Sequence, residues 1–219
     1  KKQNIKHLIN LSSSCVYPKN MIKKNEEIDI LTGQLEPSNE AYALGKIYVQ
    51  KLCEYIHRDD NSYLYKTLIP CNLFGKYDNF DLTTGHLLAN IINKVYSAKQ
   101  NKKKEIEVWG DGSVRREFML ASEFIDCLFF CIKNFNKLPY NLNVGTGYDY
   151  TILEYYEAVA NELKWKGEFK HDLSKPVGQK RKLVSLAKLN EFGWHSKTSL
   201  SEAINKTIMY YKKSFLNEI

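Results

Sequence analysis

The fold is decided by Ile5-Lys-His-Leu-Ile-Asn-Leu11, a short apolar stretch that predicts a buried strand and leads directly into Ser12-Ser-Ser14. A helix is predicted from about Asn39, because apolar residues recur there at helical spacing and form one stripe. The stripe consists of Ala41, Leu44, Tyr48, Leu52 and Ile56. Tyr63 to Ile69 is rich in β-formers and predicts the next strand, which ends before Pro70. Strand, helix and strand in this order form a βαβ unit, so the sequence predicts a parallel sheet with helices on its faces.

The rest of the chain alternates shorter elements of both kinds, which supports an α/β fold. Two capping boxes, Thr151-Ile-Leu-Glu154 and Ser199-Leu-Ser-Glu202, predict helices that run to about Leu163 and Phe215. The other predicted elements are a helix over Leu87–Val95, a strand over Ile106–Trp109, an apolar helix over Phe124–Ile132 and a strand over Asn141–Val144. Because the helix at Phe124 is apolar along its whole length, we expect it to be buried.

Composition excludes several classes of protein. The 219 residues are 43% hydrophobic and 26% charged, which is ordinary for a globular chain and unlike a disordered one. No apolar run approaches the roughly 20 residues of a membrane helix, and Lys1-Lys-Gln-Asn4 does not open a signal peptide. The five cysteines are odd in number and form no CxxC pair, so we expect no disulfide framework, no metal site and a cytoplasmic location.

The net charge of +7, from 32 basic and 25 acidic residues, suits either a solvated basic face or an anionic partner. The excess sits partly in Lys102–Lys104 and Lys175–Lys182. A phosphorylated small molecule and a nucleic acid are both compatible with this charge. No nucleic-acid recognition motif occurs and the aromatic residues are not interleaved with the basic runs, so we expect no nucleic-acid partner.

The sharpest local motif is Tyr42-Ala-Leu-Gly-Lys46, which places a phenol and an ammonium on one helix face. A nearby ammonium stabilises the phenolate, so such a tyrosine can donate a proton to a ketone oxygen while hydride arrives at its carbon. On its own this spacing is common in exposed helix pairs. The preceding serines sharpen the prediction, because they follow a strand at the sheet edge where ligands bind. A serine there can hydrogen-bond the same ketone oxygen.

Longer motifs surround these residues along nearly the whole chain. They include Leu11-Ser-Ser-Ser-Cys15-Val-Tyr-Pro18, Leu35-Glu-Pro-Ser-Asn-Glu-Ala-Tyr42, Pro70-Cys-Asn72-Leu-Phe-Gly75, Tyr77-Asp-Asn-Phe80, Val108-Trp-Gly-Asp-Gly112, Arg116-Glu-Phe118 and Asn141-Leu-Asn-Val-Gly-Thr-Gly147. With these motifs in this order, the chain resembles the extended short-chain dehydrogenase/reductases, and within them the GDP-L-fucose synthases. The resemblance implies a partial Rossmann fold, a doubly wound parallel sheet, with a smaller α/β C-terminal substrate domain.

The same resemblance implies an NADPH-dependent epimerase/reductase that converts a GDP-4-keto-6-deoxy sugar to a GDP-L-fucose-like product. Ser13, Tyr42 and Lys46 would be the reductase triad. Cys15 and His86 would move protons at the carbons that flank the ketone, since a thiolate or imidazole can remove an α-proton and the enolate is then reprotonated from the opposite face.

Further positions carry over as binding residues. The cofactor positions implied by the resemblance are Tyr42, Lys46, Pro70, Asn72 and Leu73. The sugar-nucleotide positions are Ser14, Asn72, Lys94, Trp109, Arg116 and Lys175. Trp109 could pack on a base or ribose, while Arg116 and Lys175 could pair with the diphosphate. Family members tend to place arginine where this chain has Lys94.

One expected motif has no counterpart. The family binds its dinucleotide on a Gly-rich turn after the first strand, and none of the 11 glycines forms a GxxGxxG spacing. We therefore expect roughly one βαβαβ half to precede this chain in a complete enzyme. Residues 1–78, with 120–145 returning to them, would be the C-terminal part of the NADP-binding domain, and 79–219 would mainly bind the sugar nucleotide. A homodimer built through long helices, including the one that carries Tyr42, is also implied.

Four alternatives to this function are considered, and the sequence disfavours the last two. A C4-reductase that acts on a GDP-4-keto-6-deoxyheptose or a related sugar would keep the same scaffold without epimerisation. A basic binding module belongs to another class, and the charge alone permits it. An inactive partner subunit is disfavoured because Ser13, Tyr42 and Lys46 are all present. Dehydratases of the superfamily carry a Thr-Asp-Glu run where this chain has Ser13-Ser-Cys15, which disfavours that chemistry.

Overall fold

The computed structural model describes residues 3–175 and 178–216. The helices are α1 (Glu40–Asp59), α2 (Leu87–Gln100), α3 (Ala121–Lys133), α4 (Ile152–Leu163), α5 (Ala187–Phe192) and α6 (Leu200–Phe215). The strands are β1 (His7–Leu11), β2 (Leu64–Pro70), β3 (Asn72–Phe74), β4 (Glu105–Trp109), β5 (Arg115–Arg116), β6 (Phe118–Leu120), β7 (Asn141–Val144), β8 (Tyr150–Thr151), β9 (Glu168–Asp172) and β10 (Arg181–Lys182). The α/β class predicted from the sequence is confirmed.

A parallel sheet of β1, β2 and β7 positions the part of the site that the N-terminal residues form. β1 pairs with β2 from His7 opposite Leu64 to Leu11 opposite Leu68, and β2 pairs with β7 from Thr67 opposite Asn141. Because all three strands run the same way, their carboxyl ends meet at one edge. The segments that leave this edge begin at Ser12, Cys71 and Gly145. This is the edge at which open α/β sheets bind ligands.

Helix α1 packs on this sheet with a different face from the one that the apolar stripe predicted. Its buried residues are Ala43, Ile47, Gln50 and Cys53. The predicted stripe instead points to solvent, with Leu44 50% exposed, Tyr48 68% and Leu52 42%. The helix is apolar on two sides, so the spacing of apolar residues alone could not select the face that meets the sheet.

Helix α3 is also only half buried, which corrects the prediction of a fully buried helix. Phe124, Cys127 and Cys131 pack inward, whereas Ile125, Phe129 and Ile132 are about half exposed. The C-terminal part of α3 and β1, from His7 to Leu11, border a concavity of about 770 Å³. None of the residues predicted to be catalytic lines this concavity, but Leu11 borders both it and the cavity that those residues line.

The second part of the chain has its own hydrophobic core. Helices α2, α4 and α6 enclose a cluster of buried apolar and aromatic side chains together with Phe74, Phe80, Ile106 and Val108. This part of the chain also contains short sheets. In them β4 pairs with β9, β3 pairs with β6, and β5 lies between β10 and β8. The parallel pair β3–β6 aligns Asn72 with Phe118, so it brings the end of the sheet region against this second core. The division into two domains stays a prediction.

The helix starts predicted from capping residues are confirmed. The Thr151 side chain accepts a hydrogen bond from the Glu154 N–H, and the Glu154 carboxylate accepts one from the Thr151 N–H, which completes a capping box. The Ser199 hydroxyl accepts from the Glu202 N–H at the start of α6.

Among the helices of the described residues, none combines the length and apolar character needed to cross a bilayer.

Asp149 fastens the small sheet of β10, β5 and β8. Its carboxylate oxygens lie 3.2 Å from Arg115 Nε and 2.5 Å from Arg181 Nε, and its side chain is only 6% exposed. Burial by itself raises the pKa of this carboxyl, but the hydrogen bonds and charges of Arg181 and Arg115 outweigh it and leave the pKa below its ordinary value. The ion pairs therefore stabilise the fold above the pKa of an unfolded aspartate, near 4, and are lost as pH falls below it.

We expect Asp149→Asn to lower the free energy of unfolding by about 1–2 kcal/mol at pH 7, since both arginines remain partly exposed. The substitution should also flatten the loss of stability between pH 5 and 2, because the variant has no carboxylate to protonate there. Urea titrations of both proteins at pH 7 and pH 3 measure this. If the free energies of unfolding of the two proteins differ by the same amount at pH 7 and at pH 3, the role of the ion pairs is contradicted.

Candidate active site

A cavity of about 600 Å³ opens at the carboxyl ends of β1 and β2. All eight residues that the sequence predicted as catalytic or cofactor-binding line it. They are Ser13, Cys15, Tyr42, Lys46, Pro70, Asn72, Leu73 and His86. Residues as far apart in sequence as Ser13 and His86 thus meet at one place, as expected for a ligand site at this edge of a parallel sheet.

Ser13 and Cys15 are held together by a tight turn that follows β1. The Cys15 N–H donates to the Ser13 hydroxyl oxygen at 3.2 Å, which opens the 3₁₀ turn Ser14–Val16. Val16 is fully buried and anchors the turn beneath the cavity. As a result the Ser13 hydroxyl and the Cys15 thiol both reach the same cavity.

Tyr42 and Lys46 lie one turn apart at the start of α1. The Lys46 ammonium donates to the Leu11 carbonyl at 2.9 Å, so it ties α1 to the end of β1. The same ammonium lies 5.6 Å from the centre of the Tyr42 ring. The lysine is thereby positioned to act on the tyrosine electrostatically and to keep both groups next to Ser13.

His86 stands at the entrance of the cavity, at the N-cap of α2. Its Nδ1 lies 3.0 Å from the Asp78 carboxylate, and its side chain is 76% exposed. Asn72 on β3 lines the same cavity and donates from Nδ2 to the Glu117 carbonyl at 2.8 Å. The cavity is thus bordered by elements of both parts of the chain.

A second cavity of about 360 Å³ adjoins the first. Lys94, Trp109 and Arg116 line it, and both cavities share Arg116, Leu87 and Gly178. The two spaces therefore form one cleft. One end contains hydroxyl, thiol and phenol groups together with Lys46, and the other contains an indole and Lys94, with Arg116 between them. An elongated ligand with a planar base and an anionic linker suits such a cleft.

Arg116 stands at the junction of the two cavities. Its Nη1 donates to the carbonyls of Arg115 at 2.8 Å and Gln179 at 2.6 Å. No carboxylate pairs with it in the part of the chain that the structure describes. Burial lowers the pKa of the Arg116 guanidinium from its ordinary value, although Glu36 and Cys15 oppose this. Burial likewise lowers the pKa of Lys94, whose ammonium donates to the Glu107 carbonyl at 2.5 Å. Both cations have donors to offer to an anion.

Two predicted residues occupy other places. Ser14 is 2% exposed and lines neither cavity, because the turn that presents Ser13 and Cys15 points its middle residue inward. Lys175 lies near Trp109, with its ammonium 5.6 Å from the ring and 3.9 Å from Asp172. Pro176 and Val177, part of the basic run noted in the sequence, lie outside the described residues.

One lining residue was not singled out from the sequence. Lys182 on β10 is 8% exposed, lines the first cavity and donates from Nζ to the Cys15 sulfur at 3.3 Å. The sequence placed it in a basic run and gave no reason to separate it from its neighbours. Its strand pairs with β5 next to Arg116, and only this pairing carries the lysine into the cavity.

Comparison with known proteins now adds to this geometry. Residues 1–145 match the family model described as the NAD dependent epimerase/dehydratase family. The chain belongs to this family. The resemblance found in the sequence is thus confirmed at the family level.

Two similar relatives and one solved structure extend the comparison. A GDP-L-colitose synthase of Yersinia pseudotuberculosis is 52% identical over 218 residues, which cover 100% of this chain and 70% of that protein. A GDP-L-fucose synthase of Azorhizobium caulinodans is 45% identical over 204 residues, covering 93% and 65%. The structure of a GDP-mannoheptose C4 reductase from Campylobacter jejuni with NADP bound matches with a TM-score of 0.84 and 26% identity, over 95% of this chain and 70% of that one. The chain thus spans about two thirds of these proteins' lengths.

The cysteines of this family member allow a direct test of the cavity. Cys15 is partly exposed, whereas Cys53, Cys71, Cys127 and Cys131 are buried. We therefore expect iodoacetamide to label Cys15 at least about tenfold faster than any other cysteine, because a thiol must be reached by solvent to react. Mass spectrometry of peptides after timed labelling measures this, with Cys15→Ser as the control that should remove the fast phase. Fast labelling of a buried cysteine would contradict the placement.

Proposed function

We propose that the chain carries the reaction centre of an NADPH-dependent epimerase/reductase, which converts a GDP-4-keto-6-deoxy sugar of the mannose type to a GDP-L-fucose-like product. The observation that carries this proposal is the single cleft that joins Ser13, Tyr42, Lys46, Cys15 and His86 to the cationic pocket around Trp109. The names of the relatives, a GDP-L-colitose synthase and a GDP-L-fucose synthase, support a GDP-linked deoxy sugar as the substrate class.

The residues present fit the nicotinamide end of the cofactor. Tyr42, Lys46 and the segment Pro70–Leu73 border the first cavity, and the Ser12 hydroxyl beside them is buried without a hydrogen-bond partner among the described residues. The 11 glycines offer no GxxGxxG turn for a pyrophosphate, so the fit concerns this end alone. When bound, NADPH supplies the hydride that reduces the ketone carbon.

The reduction needs a proton at the ketone oxygen as the carbon is reduced. Tyr42 can donate its phenolic proton to that oxygen, and the resulting phenolate is stabilised by the Lys46 ammonium beside the ring. The Ser13 hydroxyl can donate a hydrogen bond to the same oxygen and share its developing charge. Lys46 holds this arrangement through its bond to the Leu11 carbonyl.

Epimerisation requires proton removal and return at the carbons that flank the ketone. Cys15 and His86 line the same cavity as the reducing groups, and each can exchange a proton with such a carbon. One group takes the proton and leaves an enolate, and the other returns a proton to the opposite face. The enolate oxygen can be stabilised by Ser13 and Tyr42, so one oxygen site serves both reactions.

The cationic end of the cleft suits a GDP group. Trp109 is 57% exposed and can stack on a base or ribose. Arg116 at the junction can pair with the diphosphate through its planar fork, with Lys94 and Lys175 as further charges. With the diphosphate at Arg116, the attached sugar would extend into the first cavity, which Arg116 and Ser13 both line.

A C4-reductase that acts on a GDP-4-keto-6-deoxyheptose or a related sugar is the second candidate. The structural match to a GDP-mannoheptose C4 reductase favours it. Such an enzyme would use Ser13, Tyr42 and Lys46 and leave Cys15 and His86 without a proton-transfer role. The presence of both proton-transfer groups in the cavity favours the first candidate.

Solvent deuterium uptake separates the two candidates. The full-length protein is incubated in D₂O with NADPH and GDP-4-keto-6-deoxymannose, and the product is analysed by NMR. We expect deuterium at C3 and C5, because epimerisation exchanges these protons with solvent. Reduction with deuterium at neither carbon would reject the epimerase and favour the C4-reductase, for which the GDP-ketoheptose is then assayed.

Two variants show which groups act in which step. Tyr42→Phe should abolish reduction, by a factor of at least about 100, while affinity for the sugar nucleotide stays largely unchanged. Cys15→Ser should impair deuterium uptake more than reduction of a ketone that is already epimerised. Equal loss of both reactions in Cys15→Ser would contradict the separate roles.

We propose further that the protein is a homodimer formed through α1. Leu44, Tyr48, Leu52 and Tyr55 give this helix an outward apolar face, and each is more than 40% exposed. A second copy of the chain can cover this face, since an isologous contact pairs one helix face with itself.

The free state of all five cysteines is compatible with a cytoplasmic location, which fractionation of the source cells would check.

Tyr48→Glu should convert the dimer to a monomer, because it places a charge in the centre of the apolar face. Sedimentation equilibrium measures the mass. Ile22→Glu is the matched control, since Ile22 is 93% exposed and lies outside α1. A wild-type protein that sediments as a monomer, or a Tyr48→Glu protein that remains a dimer, would reject this interface.

A further inference from the structure

We propose that Asp78 is a positioning residue for His86: its carboxylate holds the imidazole by Nδ1–H, so that Nε2 is the atom left to exchange a proton in the cavity. Contacts with Asp78 and its loop place the ring. Its consequence for epimerisation rests on the proposed function, and the experiments below separate the two.

The contact between the two side chains fixes which nitrogen carries the proton. His86 Nδ1 lies 3.0 Å from Asp78 Oδ1, and the Asp78 side chain is 8% exposed. An ionised carboxylate only accepts hydrogen bonds, so Nδ1 must be the donor. In the neutral ring Nε2 then has no proton and is the basic atom. No group in residues 3–175 or 178–216 bonds Nε2.

Asp78 itself is held in place before any ligand binds. The Asn79 N–H donates to Asp78 Oδ1 at 2.8 Å, and the Asp78 N–H donates to the Gly75 carbonyl at 3.2 Å. The other carboxylate oxygen, Oδ2, is buried and has no partner among the described residues. Burying a carboxylate whose second oxygen has no partner costs free energy of folding. The fold nevertheless keeps the Asp78 carboxylate at this position, where His86 can donate to its Oδ1.

The loop between Gly75 and His86 is built to bring these two residues together. Asp81 accepts hydrogen bonds from the backbone and side chains of Thr83 and Thr84, which closes the loop on itself. Phe80 is 3% exposed and packs against Tyr211 and Phe215 of the second core. Its carbonyl also accepts from Asn93 Nδ2 of α2 at 2.7 Å. The loop is thereby attached to the helix that His86 begins.

Gly85 makes the close approach of the loop possible. A Cβ at this position would lie 2.3 Å from the Asn79 carbonyl oxygen and 2.5 Å from the Asp81 carbonyl oxygen. Any larger residue would therefore push the loop away from His86. The contact between Asp78 and His86 thus depends on the close packing of this loop.

As a chemical consequence, His86 exchanges protons with the substrate through Nε2 alone. When His86 acts as an acid, the proton leaves Nε2 and forms the new C–H bond with the electron pair of the enolate. When it acts as a base, Nε2 takes the proton and the C–H electron pair passes into the enolate. Nδ1–H stays on Asp78 in both directions, and the carboxylate stabilises the imidazolium.

The tautomer can be observed directly in the chain without substrate or cofactor. Nitrogen-15 NMR of the imidazole should show His86 as the Nδ1–H tautomer, and Asp78→Leu should shift it towards a mixture because the acceptor is lost. Leucine has the same branching as aspartate and fills nearly the same space, but it also removes the acceptor of the Asn79 N–H. Asp78→Asn keeps an acceptor oxygen and should give an intermediate spectrum. Asp81→Asn, a change in the same loop that does not touch His86, should leave the spectrum unchanged.

Turnover then tests the consequence in the full-length protein with NADPH. Asp78→Leu should lower solvent deuterium uptake by about tenfold to a hundredfold, the scale of a misplaced catalytic group, with KM and reduction of an already epimerised ketone little changed. In a His86→Gln background the same substitution should have no further effect, because the two residues act as one unit.

The outcomes are distinguishable. A wild-type Nε2–H tautomer, an unchanged spectrum in Asp78→Leu, or an equal change in Asp81→Asn would overturn the positioning role. A full additional loss in the His86→Gln background would overturn it as well. If the tautomer is as expected but no deuterium enters the product of the wild-type protein, the proposed epimerase function fails while the positioning of His86 stands.

Discussion

The buried carboxylate of Glu117 is the contact on which the geometry of the cleft depends. Glu117 is 1% exposed, and its oxygens accept from the N–H groups of Thr146 and Gly147 at 2.7 Å each and of Val184 at 3.1 Å. Burial raises the pKa of this carboxyl, while those hydrogen bonds oppose the rise. One side chain thus joins the loop after β7, the segment after β10 and the strands that carry Arg116 and Phe118. Gly145 is required beside it, since a Cβ there would lie 2.3 Å from Oε1.

From this point the cleft is built by two different means. At the sheet edge, parallel register brings Ser13, Cys15 and Asn72 together, because successive parallel strands end on the same side. The paired strands β5 and β10 add two cations, Arg116 at the junction of the cavities and Lys182 beside Cys15 in the first cavity. Glu117 and Asp149 are the acidic groups that fix these strands, and neither lines the two cavities. The carboxylates that hold these strands are therefore distinct from the cations that line the cleft.

The outward apolar faces of α1 and α3 have a common physical reason. Each helix carries apolar residues on more than one side, so packing on the sheet buries one set and leaves another exposed. In α1 the buried set includes the small Ala43 and Cys53, which permit close contact with the sheet, while Tyr48 and Leu52 project outward. These large outward residues lie on the helix that carries Tyr42 and Lys46, so whatever covers that face lies next to the cleft, and a second copy of the chain is the occupant that we propose.

The sequence by itself determined the α/β class, the parallel sheet, the helix starts at Thr151 and Ser199, and the family to which the chain belongs. These follow from local signals, namely apolar periodicity, capping residues and the motifs around Ser13 and Tyr42, and local signals need no tertiary contacts. Only the tertiary structure decided which face of α1 is buried, that Ser14 turns inward, and that Lys182 reaches Cys15 while Asp78 reaches His86. Those outcomes depend on pairs of residues that are distant in the chain or joined across a folded loop, and their distances are set by packing and not by spacing in sequence.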